Sequence, residues 1–172
     1  MWTTMRVRDE VAGGGCFELR KPLAEAEARE LNAVAGILEA LALSLAPPFD
    51  DDAIAELREA NAKLRGISGG GGSAVAVADH DFHRRLSEPC GDERLLATLA
   101  PVRRSIYRHA VAMAPAPGEV ERAVADHDEI IDALADGDHG QAAQRLREHV
   151  AAGLSRLLAT ARPGSKPGPT SS

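Results

Sequence analysis

Apolar residues recur at helical spacing in one segment of this chain after another, and proline or glycine closes each segment. Leu31, Val34, Ile37, Leu38, Leu41 and Leu45 follow one another at helical intervals and stop at Pro47 and Pro48. That pattern predicts a long amphipathic core helix from Ala24 onward. Asp50 to Asp52 supply an N-cap and favourable N-terminal charge for a second helix through about Arg65, whose apolar stripe is Ile54, Leu57 and Leu64. The run Ser68-Gly-Gly-Gly-Gly-Ser73 reads as a loop, because glycine loses most entropy on ordering and offers nothing to pack. A third helix is expected from Ala74 to Ser87, ending at Pro89 to Gly91, and a fourth from Asp92 to about Ala114, ending at Pro115, Pro117 and Gly118. A fifth runs from Glu119 to Ala135, and the turn Asp136-Gly137-Asp138 leads into a sixth from His139 to Ala161. The expected fold is all-α, an antiparallel bundle of about six helices over residues 23–161. Residues 1–22 read as a short strand pair or a disordered arm, and residues 162–172 as a disordered Gly/Pro/Ser tail.

A length of 172 residues suits one domain with a real core, and with aromatic residues at only 3% that core is built from Ala, Leu, Val and Ile. The net charge of −6 argues against a polyanion-binding surface, so this chain alone is not expected to bind nucleic acid. Cys16 and Cys90 lie far apart and belong to no CxxC pattern, which fits a reducing cytoplasm. Neither a signal peptide nor a run of apolar residues of membrane-spanning length is present, so the expected location is cytoplasmic, without a membrane partner.

Chemistry concentrates in two places. Asp79 and His83 stand four residues apart on one face of the third helix and can approach a common point. His127 lies ten residues before Gly137 and His149 twelve after it, so a hairpin folded at that glycine brings the two imidazoles to similar heights. Together they offer three nitrogens and one oxygen, a donor set for a divalent transition metal, zinc first and nickel, manganese or iron as alternatives. Positions left open on such an ion would take water or the oxygens of a small molecule. The Asp-His spacing by itself occurs more often on a solvated face or as a capping pair. His80, His109 and His139 read as ordinary structural or surface histidines. Asp81 and Glu88 are acid/base candidates that no placement singles out, so no catalytic residue is assigned.

Asp79-His-Asp-Phe-His83 followed by Leu86 resembles the D-x-x-F-H-x-x-L signature of the FCD (FadR C-terminal) domain of GntR-family bacterial transcription regulators. Asp126-His127 through Ile130 and Ala133, then Ala143, Leu146, Arg147 and His149, resemble that family's later blocks in order and spacing. Glu30-Leu31 through Leu38-Glu39 resembles its first helix, so the similarity runs over roughly residues 23 to 160. The resemblance implies metal ligation by Asp79, His83, His127 and His149, a small carboxylate effector held at the metal, and a dimer whose DNA-binding domains respond to the effector. Family members usually carry an arginine near the effector where this chain has Ala35, and Arg103, Arg104 or Arg108 are candidates to replace it. Gly13 to Arg20 resembles the last wing strand of the winged helix-turn-helix that precedes the domain in the family, so residues 1–22 are read as a remnant wing strand or arm, with DNA contact left to another segment or subunit. The expected function is thus effector sensing and dimerisation, as a homodimer or with a full-length regulator, and not catalysis. A metal-dependent hydrolase or isomerase, or a truncated dimerisation partner without sensing, are the alternatives.

Overall fold

The computed structural model describes residues 25–67, 72–111, 115 and 117–160, with side chains to residue 153. The expected arm, tail and wing-strand remnant lie outside the described residues. Six α-helices form among those described: α1 (Glu25–Leu45), α2 (Asp51–Arg65), α3 (Gly72–Ser87), α4 (Glu93–Val111), α5 (Glu119–Ala135) and α6 (His139–Thr160), with one 3-10 turn at Glu88–Cys90 after α3.

Their ends follow local chemistry. Asp50 Oδ1 accepts the Ala53 amide at 2.8 Å, and acidic Asp51 and Asp52 precede basic Lys63 and Arg65 along α2, as the helix dipole favours. Asp92 caps α4 through the Arg94 and Leu95 amides, and Asp138 caps α6 through the Gln141 amide at 2.8 Å. Between α5 and α6, Gly137 takes φ 75°, with its amide on the Leu134 carbonyl and the Asp138 amide on the Ala133 carbonyl. These two bonds form a Schellman turn, and glycine is the residue that adopts this backbone without strain.

The helices close into a ring. α1 packs on α6, α6 on α5, α5 on α2, α2 on α3, α3 on α4, and α4 returns to α1. Leu43, Leu57, Phe82, Leu86, Ile130, Leu134 and Leu146 fill one core inside it. Burying each such side chain contributes about 1.5–3 kcal/mol.

The first helix is present as its spacing predicts, but its buried face is different. Ala28, Ala35, Ala40, Ala42 and Leu43 face inward, while Val34 (43% exposed), Ile37 (63%), Leu41 (45%) and Leu45 (51%) face outward. Close packing explains the difference. A Cβ built on Gly36 would lie 3.5 Å from Val150 of α6, so only a wall of small residues lets the two backbones approach this far.

Candidate metal centre

Asp79, His83, His127 and His149 come together inside the ring, each offering one donor atom, all within 4.8 Å of one another. Asp79 and His83 are neighbours on α3, with Nε2 of His83 3.8 Å from Asp79 Oδ1. His127 comes from α5 and His149 from α6, across the hairpin folded at Gly137. Their Nε2 atoms are 3.2 Å apart, and His127 Nε2 is 3.8 Å from Asp79 Oδ1. All three imidazoles are buried and Asp79 is half-buried.

Each ring is fixed by a partner on its other nitrogen. Asn61 of α2 donates its amide to the Val124 carbonyl (3.0 Å) and to Asp128 Oδ1 (2.8 Å), which turns its Oδ1 to His127 Nδ1 at 3.1 Å. The amide orientation therefore requires a proton on His127 Nδ1 and a lone pair on Nε2. His149 Nδ1 lies 3.0 Å from Asp126 Oδ2, which fixes the direction of that ring. His83 Nδ1 meets the Arg103 guanidinium, and Glu39 Oε2, a buried oxygen with no hydrogen-bond partner, lies 3.2 Å from the same nitrogen. The Arg103 guanidinium packs against both Glu39 and His83. Phe82 stacks on His127 with centroids 3.7 Å apart and planes at 11°, setting the tilt of that ring.

The two Nε2 atoms face each other at 3.2 Å, a spacing satisfied by a proton on one of them or by a cation between them. A metal at the usual M–N distance of about 2.0–2.1 Å would subtend roughly 100° across that gap, between octahedral and tetrahedral values. The donor set therefore fits a first-row divalent ion, with an outer ring of Asn61, Asp126 and Glu39 of the kind that orients histidine ligands.

Burial disfavours the imidazolium. The His83 pKa is lowered by burial and then by Arg103, with Glu39 and Asp79 acting against this. Burial, then neighbouring His149 and His83, hold His127 well below its ordinary value. Both changes favour the neutral form that a metal requires. Burial alone would raise the Glu39 carboxyl, but Arg103 and then His83 outweigh it and keep Glu39 ionised.

A cavity of about 150 Å³ opens beside the cluster, lined by Asp79, His83, His149 and Arg103 together with apolar side chains. Of the three arginines considered from sequence, Arg103 is buried and reaches this wall, whereas Arg104 and Arg108 are exposed and do not line it. Asp81 and Glu88 bind Arg84 on the surface. The other histidines lie outside the cluster: His80 against Tyr107, His139 on the Leu43 carbonyl, and His109 buried on α4. Asn61 and Asp126 are residues that sequence spacing gives no reason to choose. Glu39 did leave a signal, as the only charge between Leu31 and Ala46.

A closed ring of helices with a polar, metal-competent centre and a small cavity inside it defines an all-helical ligand-binding domain. No curated protein matches the chain. The FCD domain profile matches residues 30–152, and the chain belongs to that family, the C-terminal domain of GntR regulators. A solved transcriptional regulator, a GntR family member from Pseudomonas syringae pv. tomato str. DC3000, is similar in structure with a TM-score of 0.67 at 17% identity. The match covers 81% of this chain and 58% of that one, so this chain spans little more than half of the regulator's length. Among the described residues no helix is long and apolar enough to cross a membrane.

Proposed function

We propose that this chain is an effector-sensing regulatory domain that holds a divalent transition metal, zinc first, at Asp79, His83, His127 and His149. A small carboxylate would bind at the coordination positions the protein leaves open, with Arg103 at its edge. The observation that carries this reading is the convergence of four donor atoms, one each from Asp79, His83, His127 and His149, within 4.8 Å of one another, three of them on buried imidazoles. A bound ion would supply the positive charge that attracts the carboxylate. The chain's own residues orient the rings, favour the neutral form of His83 and His127, and wall the cavity with apolar side chains.

The same reading includes dimerisation, as a homodimer or with a full-length regulator. From Ala33 to Leu45 the outer face of α1 exposes Val34, Ile37, Leu41 and Leu45 and no charged side chain. A face of this kind suits burial against a second copy.

The test is metal analysis by mass spectrometry on protein purified without a metal-affinity column. About one transition-metal ion per chain is expected, and its loss in His127→Ala. Protein that comes out metal-free and gains no thermal stability from added zinc, nickel, manganese or iron would refute the metal site.

A further inference from the structure

Two of the three clustered imidazoles present Nδ1 to an oxygen, His127 to Asn61 and His149 to Asp126. His83 differs. Its Nδ1 meets the Arg103 guanidinium, a group that carries N–H donors only, so this nitrogen accepts and the proton of the neutral ring sits on Nε2. Nε2 is the atom turned to the cluster, 3.8 Å from Asp79 Oδ1, and a ring protonated there has no lone pair for an ion. Beside the same Nδ1, at 3.2 Å, lies Glu39 Oε2, fully buried and without a hydrogen-bond partner, while Arg103 Nε holds the other oxygen of that carboxylate. A donor from α4 and an unused acceptor from α1 therefore compete for one nitrogen.

Resting on the metal reading above, we propose that Arg103 and Glu39 are opposed positioning residues for His83: Arg103 holds the ring in the form that cannot ligate, and Glu39 takes over Nδ1 when a metal arrives. On loading, one proton leaves Nε2 for solvent and one is taken up at Nδ1, so the ring stays neutral. Nδ1–H then donates to Glu39 Oε2, and the terminal nitrogen of Arg103 gives up His83 while its Nε keeps Glu39 Oε1. Arg103 lines the cavity, where water can accept the released N–H, so the exchange leaves no buried donor unpaired. Arg103 works against metal binding, and Glu39 works for it as the outer partner of the ligating histidine.

The experiment is long-range proton–nitrogen NMR of the histidine side chains in the full chain near neutral pH, first stripped of metal with a chelator and then titrated with zinc. Stripped protein is expected to show His83 protonated at Nε2, and zinc is expected to move that proton to Nδ1. His83 already protonated at Nδ1 in stripped protein overturns the proposal, and zinc-dependent shifts of His127 and His149 in the same titration would leave the metal site standing. Zinc that shifts none of the three histidines overturns the metal site and the proposal with it. Arg103→Met supplies a second readout. Its stability in urea with chelator present should fall, because a buried carboxylate loses its partner. Its His83 proton should nevertheless sit on Nδ1 before zinc is added, and zinc should bind about tenfold tighter, the size of one charge-assisted hydrogen bond no longer broken on loading. Zinc affinity that falls together with stability overturns the competing role of Arg103. Tighter binding with the proton still on Nε2 overturns it as well, since charge alone would then account for the gain.

Discussion

Replacing Asn61 by leucine removes three hydrogen bonds at nearly constant side-chain volume, and its effects divide between folding and metal binding. The bond to the Val124 carbonyl is neutral, and that oxygen also lies in the hydrogen-bond ladder of α5, so its loss costs about 0.5–1 kcal/mol. The bond to Asp128 is charge-assisted, but Asp128 is partly solvated and keeps Arg65 at 2.6 Å. About 1 kcal/mol is a fair figure for it. His127 Nδ1 then becomes a buried donor with no acceptor, at about 1–3 kcal/mol. Allowing for the apolar area leucine buries, the variant should lose roughly 2–4 kcal/mol, read from urea unfolding followed by far-UV circular dichroism with chelator present. Zinc affinity, measured by competition with a chromophoric chelator, should fall about 10–100-fold, because the imidazole loses the partner that fixes its tautomer and direction. Asn61→Asp separates the two effects. It keeps an acceptor for Nδ1 but sets a second carboxylate beside Asp128, so stability should drop while zinc affinity stays closer to wild type. A destabilised Asn61→Leu chain that binds zinc with wild-type affinity would refute the positioning role. Nitrogen NMR of the metal-stripped wild type should also show His127 protonated at Nδ1.

Glu39→Gln leaves Arg103 as a buried cation with its partner neutralised, and should cost about 3 kcal/mol or more in urea unfolding; a loss below about 1 kcal/mol would mean that the charge pair matters little. Metal-stripped protein should lose stability as pH falls. The folded pKa values of His83 and His127 lie below 6.5, so the unfolded chain takes up their protons first. The contribution is complete above about 6.5 and declines below it by up to about 1.4 kcal/mol per pH unit for each histidine, and equal urea midpoints at pH 7.5 and 5.5 would contradict this. Ile37→Lys with Leu41→Lys should leave the melting temperature nearly unchanged, since both side chains are largely exposed, yet weaken self-association in sedimentation velocity. A dimer of undiminished strength would exclude this face of α1.

The sequence announces helices and ligands more readily than it announces neighbours. Asp79 and His83 are legible because one helix sets their spacing, and His127 and His149 because a short turn fixes the register of a hairpin. Asn61 reaches His127 across 66 positions, a relation that no local period encodes. The face of α1 is harder for a different reason. Its large aliphatic residues define a stripe, but the small residues on the other side are the ones that permit close helix contact, so weighting by size selects the outer face. Glu39 shows the converse case, a lone charge in an otherwise uncharged stretch that marks a buried polar centre.

Gly36 presents bare α1 backbone to the Val150 side chain of α6, so the two helices meet there with no side chain from α1 between them. Val150 follows His149 directly in α6, and Ile37 follows Gly36 on the outer surface of α1. Long side chains dissipate small displacements by rotating; glycine and alanine have no rotamers with which to do so. A junction built this way has little side-chain freedom with which to absorb a displacement, so a shift of α6 at His149 would bear directly on the α1 backbone.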